Sequence, residues 1–130
     1  MSETIEFLEK QSPLTALKWS EGMSKAARSH VDDIGGKGTA GHDSSDGTKF
    51  AARINKFGKW SGACSENLSF GQDTAMKIIL QLIIDDGVAT RGHRKNIFNT
   101  EVKVCGISSG SHKAYSHMTC LDYASGFTEP

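Results

Sequence analysis

Val102-Lys103-Val104-Cys105-Gly106-Ile107-Ser108-Ser109-Gly110-Ser111-His112-Lys113-Ala114-Tyr115-Ser116-His117-Met118-Thr119-Cys120-Leu121-Asp122-Tyr123 is the stretch on which the fold turns. Val102, Val104 and Ile107 have strand-like spacing, Ser108 to Lys113 reads as a turn, and Tyr115 to Tyr123 reads as the returning strand. The chain before this hairpin is mostly helical in pattern. Helices first and a hairpin last predict an α+β fold, with helices covering a small antiparallel sheet.

Upstream, Thr4 to Lys10 carries Ile5, Phe7 and Leu8 and suits a short helix, broken at Ser12-Pro13. Ser20 has the chemistry of an N-cap, and Met23, Ala26, Ala27, Val31 and Ile34 recur at helical spacing, so residues 20 to 34 form an amphipathic helix. Gly35-Gly36 ends it, and a glycine-rich loop runs to residue 48. Phe50, Ile54 and Phe57 mark a short helix closed by Gly58, and Ser61 to Cys64 reads as loop. Asp73 or Thr74 caps the next helix, which runs to about Asp85. Its Ile78, Ile79, Leu82, Ile83 and Ile84 cover most of the circumference, so it is expected to be the most buried helix. Val88 to Phe98 reads as loop with one helical turn.

The chain has 130 residues, 37% apolar and 23% charged, with 15 basic and 15 acidic side chains. That length suits a single domain spanning residues 1–130. The balanced charge gives no reason to expect a nucleic-acid partner. No apolar run approaches the ~20 residues a membrane span needs. Met1 to Lys10 lacks the basic start and apolar run of a signal peptide, which leaves an intracellular protein or a processed chain as the alternatives. Cys64, Cys105 and Cys120 are odd in number, so one at least is unpaired within the chain; Cys105 and Cys120, on neighbouring strands, are placed to pair.

Some motifs match in letters and fail in context. Gly36-Lys37-Gly38-Thr39-Ala40-Gly41 fits G-x-G-x-x-G but follows a helix rather than a strand, which excludes the dinucleotide geometry. Gly106-Ile107-Ser108-Ser109-Gly110 fits G-x-S-x-G but joins two strands, so a hairpin turn is the better reading. Asn67-Leu68-Ser69 is a glycosylation sequon beside Glu66, in a segment expected to line a cleft wall.

Four polar segments carry the remaining chemistry in fixed order: Gly41-His42, Glu66-Asn67-Leu68, Gly92-His93-Arg94-Lys95-Asn96-Ile97 and His117-Met118-Thr119. Imidazoles and carboxylates either hold a divalent metal or move protons. A buried Glu66 needs a partner, and a histidine or metal is a natural one.

In order and spacing these segments resemble the CAP superfamily, named for cysteine-rich secretory proteins, antigen 5 and plant pathogenesis-related-1 proteins. The likeness runs from about Phe7 to Phe127. Leu17-Lys18-Trp19-Ser20 with Ala26-Ala27-Arg28-Ser29-His30 resembles the opening passage. Ser65-Glu66-Asn67-Leu68 resembles G-E-N-[IL] with serine for glycine. Gly92 to Ile97 resembles the G-H-R-x-N-[IL] of compact bacterial and protist members. His117 to Tyr123 resembles the final histidine-bearing strand, with Cys120 in place of glutamine and Tyr123 in place of tryptophan. The animal disulfide framework is absent.

The resemblance implies a three-layer α-β-α sandwich around a small antiparallel sheet, an SCP-like domain. It implies a cleft with two histidines and two acids, which in some members binds a divalent metal such as zinc. His42 is then the first histidine and Glu66 the first acid. The second histidine is His93 or His117, and the second acid Asp86 or its neighbour Asp85. The first functional reading is a non-enzymatic domain whose cleft takes a metal, a lipid or sterol, or a protein partner, outside the cell. The alternatives are a metal-assisted or acid–base hydrolase or protease, and an assembly component docking through Trp60 or the hairpin edge. Against a thiol protease, the carboxylate near Cys64 raises the thiol's pKa.

Overall fold

A computed structural model describes residues 2–130. Its elements are α1 (Ser2–Lys10), β1 (Lys18–Trp19), α2 (Glu21–Gly35), α3 (Phe50–Ile54), β2 (Lys59–Phe70), α4 (Ala75–Ile84), α5 (Gly92–Ile97), β3 (Val104–His112) and β4 (Ser116–Thr128). One four-stranded sheet has the order β1-β3-β4-β2. β3 and β4 form the hairpin and β2 pairs antiparallel with β4, while the two-residue β1 runs parallel to β3. The sheet is therefore mixed rather than wholly antiparallel, with β2 as one edge.

Strand alternation sorts the core into two halves. Leu68, Met118 and Cys120 meet Ala27, Val31 and Ile34 of α2, and Ala124 meets Met23 and Ala26 together with Ile54 of α3. On the other face Leu121 and Tyr123 meet Ile78 and Leu82 of α4, with Ile97 of α5 and Cys105 and Ile107 of β3 packed alongside. The result is the expected α-β-α sandwich.

α2 begins where its sequence says it should. Ser20 Oγ accepts from Met23 N at 3.1 Å, a cap worth about 1 kcal/mol. The C-terminal tail reinforces it, since Glu129 accepts from Ser20 Oγ and Gly22 N, both at 2.7 Å, placing a carboxylate at the positive helix end. α2 approaches β3 so closely that a Cβ on Gly106 would lie 2.2 Å from Ser24 N. α2, not α4, is the most buried helix. α4 seats only Ile78 and Leu82, and leaves Met76 69% and Leu80 46% exposed.

Other expectations give way for identifiable reasons. Ser61 to Cys64 is strand, not loop: β2 starts at Lys59 and carries a bulge between Ser61 and Cys64, with Gly62 at φ 73°. A bulge breaks the period-2 pattern by which a strand is recognised. Gly106 to Gly110 is not a turn but the middle of β3, where glycine makes room for α2; the turn is Lys113 to Tyr115. The 88–98 segment contains α5. Cys105 and Cys120 do not pair, and all three thiols are free, because Cys105 faces α4 and Cys120 faces α2. Trp60 is half-buried against α3, with its Nε1 donating to Ala51 O at 2.9 Å, so it is no free docking residue. Among the described residues, no helix is long and apolar enough to cross a membrane.

Candidate functional site

Glu66 and Asp122 are register partners on β2 and β4, and both point toward α2. Two buried carboxylates placed opposite each other repel unless a cation or a proton intervenes. Both arrive. Arg53, projecting from α3 and almost fully buried, donates Nη2 to Glu66 Oε2 and lies 3.8 Å from Asp122 Oδ1. Burial opposes the charge on Glu66, but hydrogen bonds from Asp122 and His42 and the Arg53 charge outweigh it and hold the carboxyl at about 2. Burial, then the bond to Glu66 and its charge, push Asp122 well above the usual carboxylate range, so it keeps its proton. The Cys120 thiol donates to Glu66 Oε2 at 3.2 Å, and burial raises it well above an ordinary thiol.

Glu66 Oε1 faces outward and accepts from His42 Nδ1 at 2.8 Å. His42 belongs to the loop between α2 and α3, and its side chain is 46% exposed. Its neutral tautomer therefore carries hydrogen on Nδ1 and turns a bare Nε2 toward solvent.

A second pair repeats this arrangement. Asp85 ends α4 in the left-handed region, φ 53°, a conformation aspartate tolerates better than most residues. Its buried carboxylate then serves α5. Oδ2 accepts from His93 N at 3.0 Å and Arg94 N at 3.3 Å, capping the helix, and Oδ1 accepts from His93 Nδ1 at 2.8 Å. One residue closes α4, caps α5 and orients the histidine in the first turn of α5. Arg94 locks the corner: Nε donates to Ile83 O at 2.6 Å, and its guanidinium forks onto Glu3 of α1 at 2.6 and 2.8 Å.

The two pairs meet across the edge strand. Asn67, next to Glu66 but on the opposite face, donates to His93 O at 3.0 Å. Asn96 donates to Asn67 Oδ1 at 2.8 Å and to Glu66 O at 3.3 Å. His42 thus meets β2 at Glu66, and the His93 carbonyl meets it at the adjacent Asn67 on the other face. Asn67 is fully buried and bonded, so the sequon is not open to a sugar.

The remaining predicted residues sit elsewhere. His117 is exposed at the start of β4, in register with Ser111, where its carbonyl accepts from Gly71 N at 2.9 Å. Asp86 is exposed, and the bond to His93 is made by Asp85 instead. Arg53 and Asp122 are site residues that the sequence reading misses. Arg53 lies in a short helix recognised by its apolar residues, and Asp122 is the one carboxylate in β4, amid a run of buried residues. An acid at an inward strand position is the one signal that points to it.

Among the described residues, the one group of three His, Cys, Asp or Glu ligand atoms lying within 4.8 Å of one another is Glu66, Cys120 and Asp122. As a donor set it could hold a metal, but the positive charge there is already supplied by Arg53. A groove of about 530 Å³ opens beside His93, lined by Phe70, Leu80, Leu82, Ile84, Val88 and Asp85 among others.

A family model described as CAP, the cysteine-rich secretory protein family, matches residues 10–123. The chain belongs to the CAP family. No curated protein matches it closely enough to count as a relative. Among solved structures, this CAP domain superposes on an outer surface protein from Borrelia burgdorferi with a TM-score of 0.73 and 18% identity, covering 99% of this chain and 89% of that one. It also superposes on an extracellular protein containing an SCP domain from Bacillus anthracis, with a TM-score of 0.64 and 19% identity, covering 95% of this chain and 39% of that one. At such identities the likeness is one of fold.

Proposed function

We propose that this CAP domain is a non-enzymatic binding module whose cleft takes a divalent cation between Nε2 of His42 and Nε2 of His93. The observation that carries the reading is the repeated geometry: each imidazole gives Nδ1 to a buried carboxylate at 2.8 Å, Glu66 in one case and Asp85 in the other. A carboxylate on Nδ1 fixes the tautomer, aims the ring and raises the basicity of Nε2, as in carboxylate–histidine–zinc arrangements. Two histidines with water completing the shell make an open, exchangeable site. Zinc is the probe of choice. Calorimetric titration of zinc into the protein is expected to give one site, weakened about 10-fold or more by either His42→Ala or His93→Ala. His117→Ala is expected to leave it unchanged. Binding that survives both cleft substitutions would sink the proposal.

The groove supports a second reading, an apolar ligand such as a lipid chain lying between α4 and the β2 edge. Its support is the volume of about 530 Å³ and the exposed Leu80 at its rim. Retention of a fluorescent fatty acid, lost in Leu80→Lys, tests it.

A hydrolase has less behind it. Burial and neighbouring carboxylates push Cys64 up to about 12, and burial also raises Cys105. Neither is an activated nucleophile. An extracellular location is part of the proposal, in keeping with the outer-surface and extracellular titles of the two similar structures.

A further inference from the structure

The loop that carries His42 has no helix or strand of its own between Gly36 and Lys49, yet carbonyls along it are captured by buried basic side chains. His112 Nε2 bonds Thr39 O at 2.7 Å, His30 Nε2 bonds Gly41 O at 2.8 Å, and Arg53 Nη1 bonds His42 O at 3.0 Å. The donors come from three different elements, β3, α2 and α3. Arg53 spends its other terminal nitrogen on Glu66, so one guanidinium holds both the backbone of His42 and the carboxylate that orients its ring.

A carbonyl only accepts, so each histidine must carry hydrogen on Nε2. For His112 a second constraint agrees. Its Nδ1 accepts from Ala114 N and Tyr115 N, both at 3.1 Å, and must be bare. For His30, Nδ1 is buried without a partner. Leaving a buried polar atom unpaired costs free energy, which the bond on the other nitrogen has to offset. Burial, and then the Arg53 charge, lower its pKa and keep it neutral. These four histidines therefore divide by tautomer. His42 and His93 carry hydrogen on Nδ1 and offer Nε2 outward, whereas His30 and His112 carry it on Nε2 and spend it on the loop.

We infer that His30 and His112, together with Arg53, form a carbonyl clasp whose role is to position His42, making the two histidines positioning residues of the cleft. The inference rests on the reading of His42 as a ligand only for its use. The clasp itself can be read without any metal.

The test is nitrogen-15 spectroscopy of the imidazoles in wild type, His30→Leu, His30→Gln, His112→Leu and His112→Gln. Glutamine retains a donor near the Nε2 position; leucine does not. In wild type the clasp requires Nε2–H signals for His30 and His112 and an Nδ1–H signal for His42. In the leucine variants, the His42 Nδ1–H signal broadens or is lost, amides 39–45 exchange faster, and zinc affinity falls about 10-fold or more. Glutamine restores the His42 signal. If a leucine variant does not fold, the wild-type tautomers and the glutamine variants still decide the matter. Nδ1–H tautomers at His30 or His112, or a folded leucine variant with an unchanged His42 signal, would overturn the clasp. Absence of zinc binding in wild type, with all three tautomers as stated, would count against the metal proposal and leave the clasp standing.

Discussion

Glu66 and Asp122 face each other across the β2–β4 ladder, both side chains fully buried, with one arginine between them and one proton shared out to Asp122. This pairing fixes the inner wall of the cleft. It lets an outward oxygen of Glu66 serve His42 while the inward one is neutralised.

Removing the acid takes from buried Arg53 its hydrogen-bonded carboxylate and leaves Asp122, 3.8 Å away, as its remaining acidic neighbour. Glu66→Gln is expected to cost about 3–5 kcal/mol in urea unfolding, far more than an exposed ion pair would. A cost below about 1 kcal/mol would mean that Arg53 finds other partners.

Replacing Asp122 by asparagine keeps a neutral donor in the place of the protonated carboxyl. In wild type the folded value for Asp122 lies above the unfolded one, so the native state holds an extra proton and stability declines as pH rises through the folded value. Asp122→Asn removes that decline and is at least as stable as wild type at neutral pH. The Glu66 contribution has the opposite sign. It is fully present above the unfolded value near 4.5 and is lost as pH falls toward about 2, in wild type and Asp122→Asn alike. Unfolding free energy of wild type and Asp122→Asn, measured from acid through alkaline pH, checks both signs.

Asp85→Ala removes the α5 cap and the orienting partner of His93 together. The cap alone is worth about 1 kcal/mol, and Asp85→Asn is expected to recover much of it. Zinc affinity should fall about 10-fold or more in Asp85→Ala, whereas Asp86→Ala, at the exposed neighbour, changes neither quantity measurably.

The capped periodicity of α2 can be read directly because it buries one clean face, and β4 because Met118 to Ala124 form a continuous run buried on both faces of the sheet. β2 cannot. Its bulge, its glycine and its polar residues on both faces erase the period, and the polar residues are there because they build the cleft. α4 misleads in the opposite way: its isoleucines suggest burial all round, but the sheet accepts only one narrow stripe of them. His42, Glu66 and His93 stand out as polar residues at loop or element ends. Arg53 and Asp122 stay hidden because a buried polar cluster has no sequence period, and its members lie on separate elements.

Gly106→Ala tests the close approach of α2 to β3. The added Cβ meets backbone atoms that cannot rotate away, so a loss of about 1–3 kcal/mol or more is expected in thermal or urea unfolding. Gly36→Ala, where a Cβ meets nothing within 4 Å, is the neutral control.

In the proposed cleft site, His42 and His93 present paired Nε2 atoms to one cation. Zinc titration of histidine-labelled protein, followed by imidazole nitrogen-15 shifts, tests it most directly. Nε2 of His42 and of His93 are expected to shift together and saturate at one equivalent, while His30, His112 and His117 do not move. Shifts confined to His117, shifts at only one of the two cleft histidines, or no shift at all would contradict it.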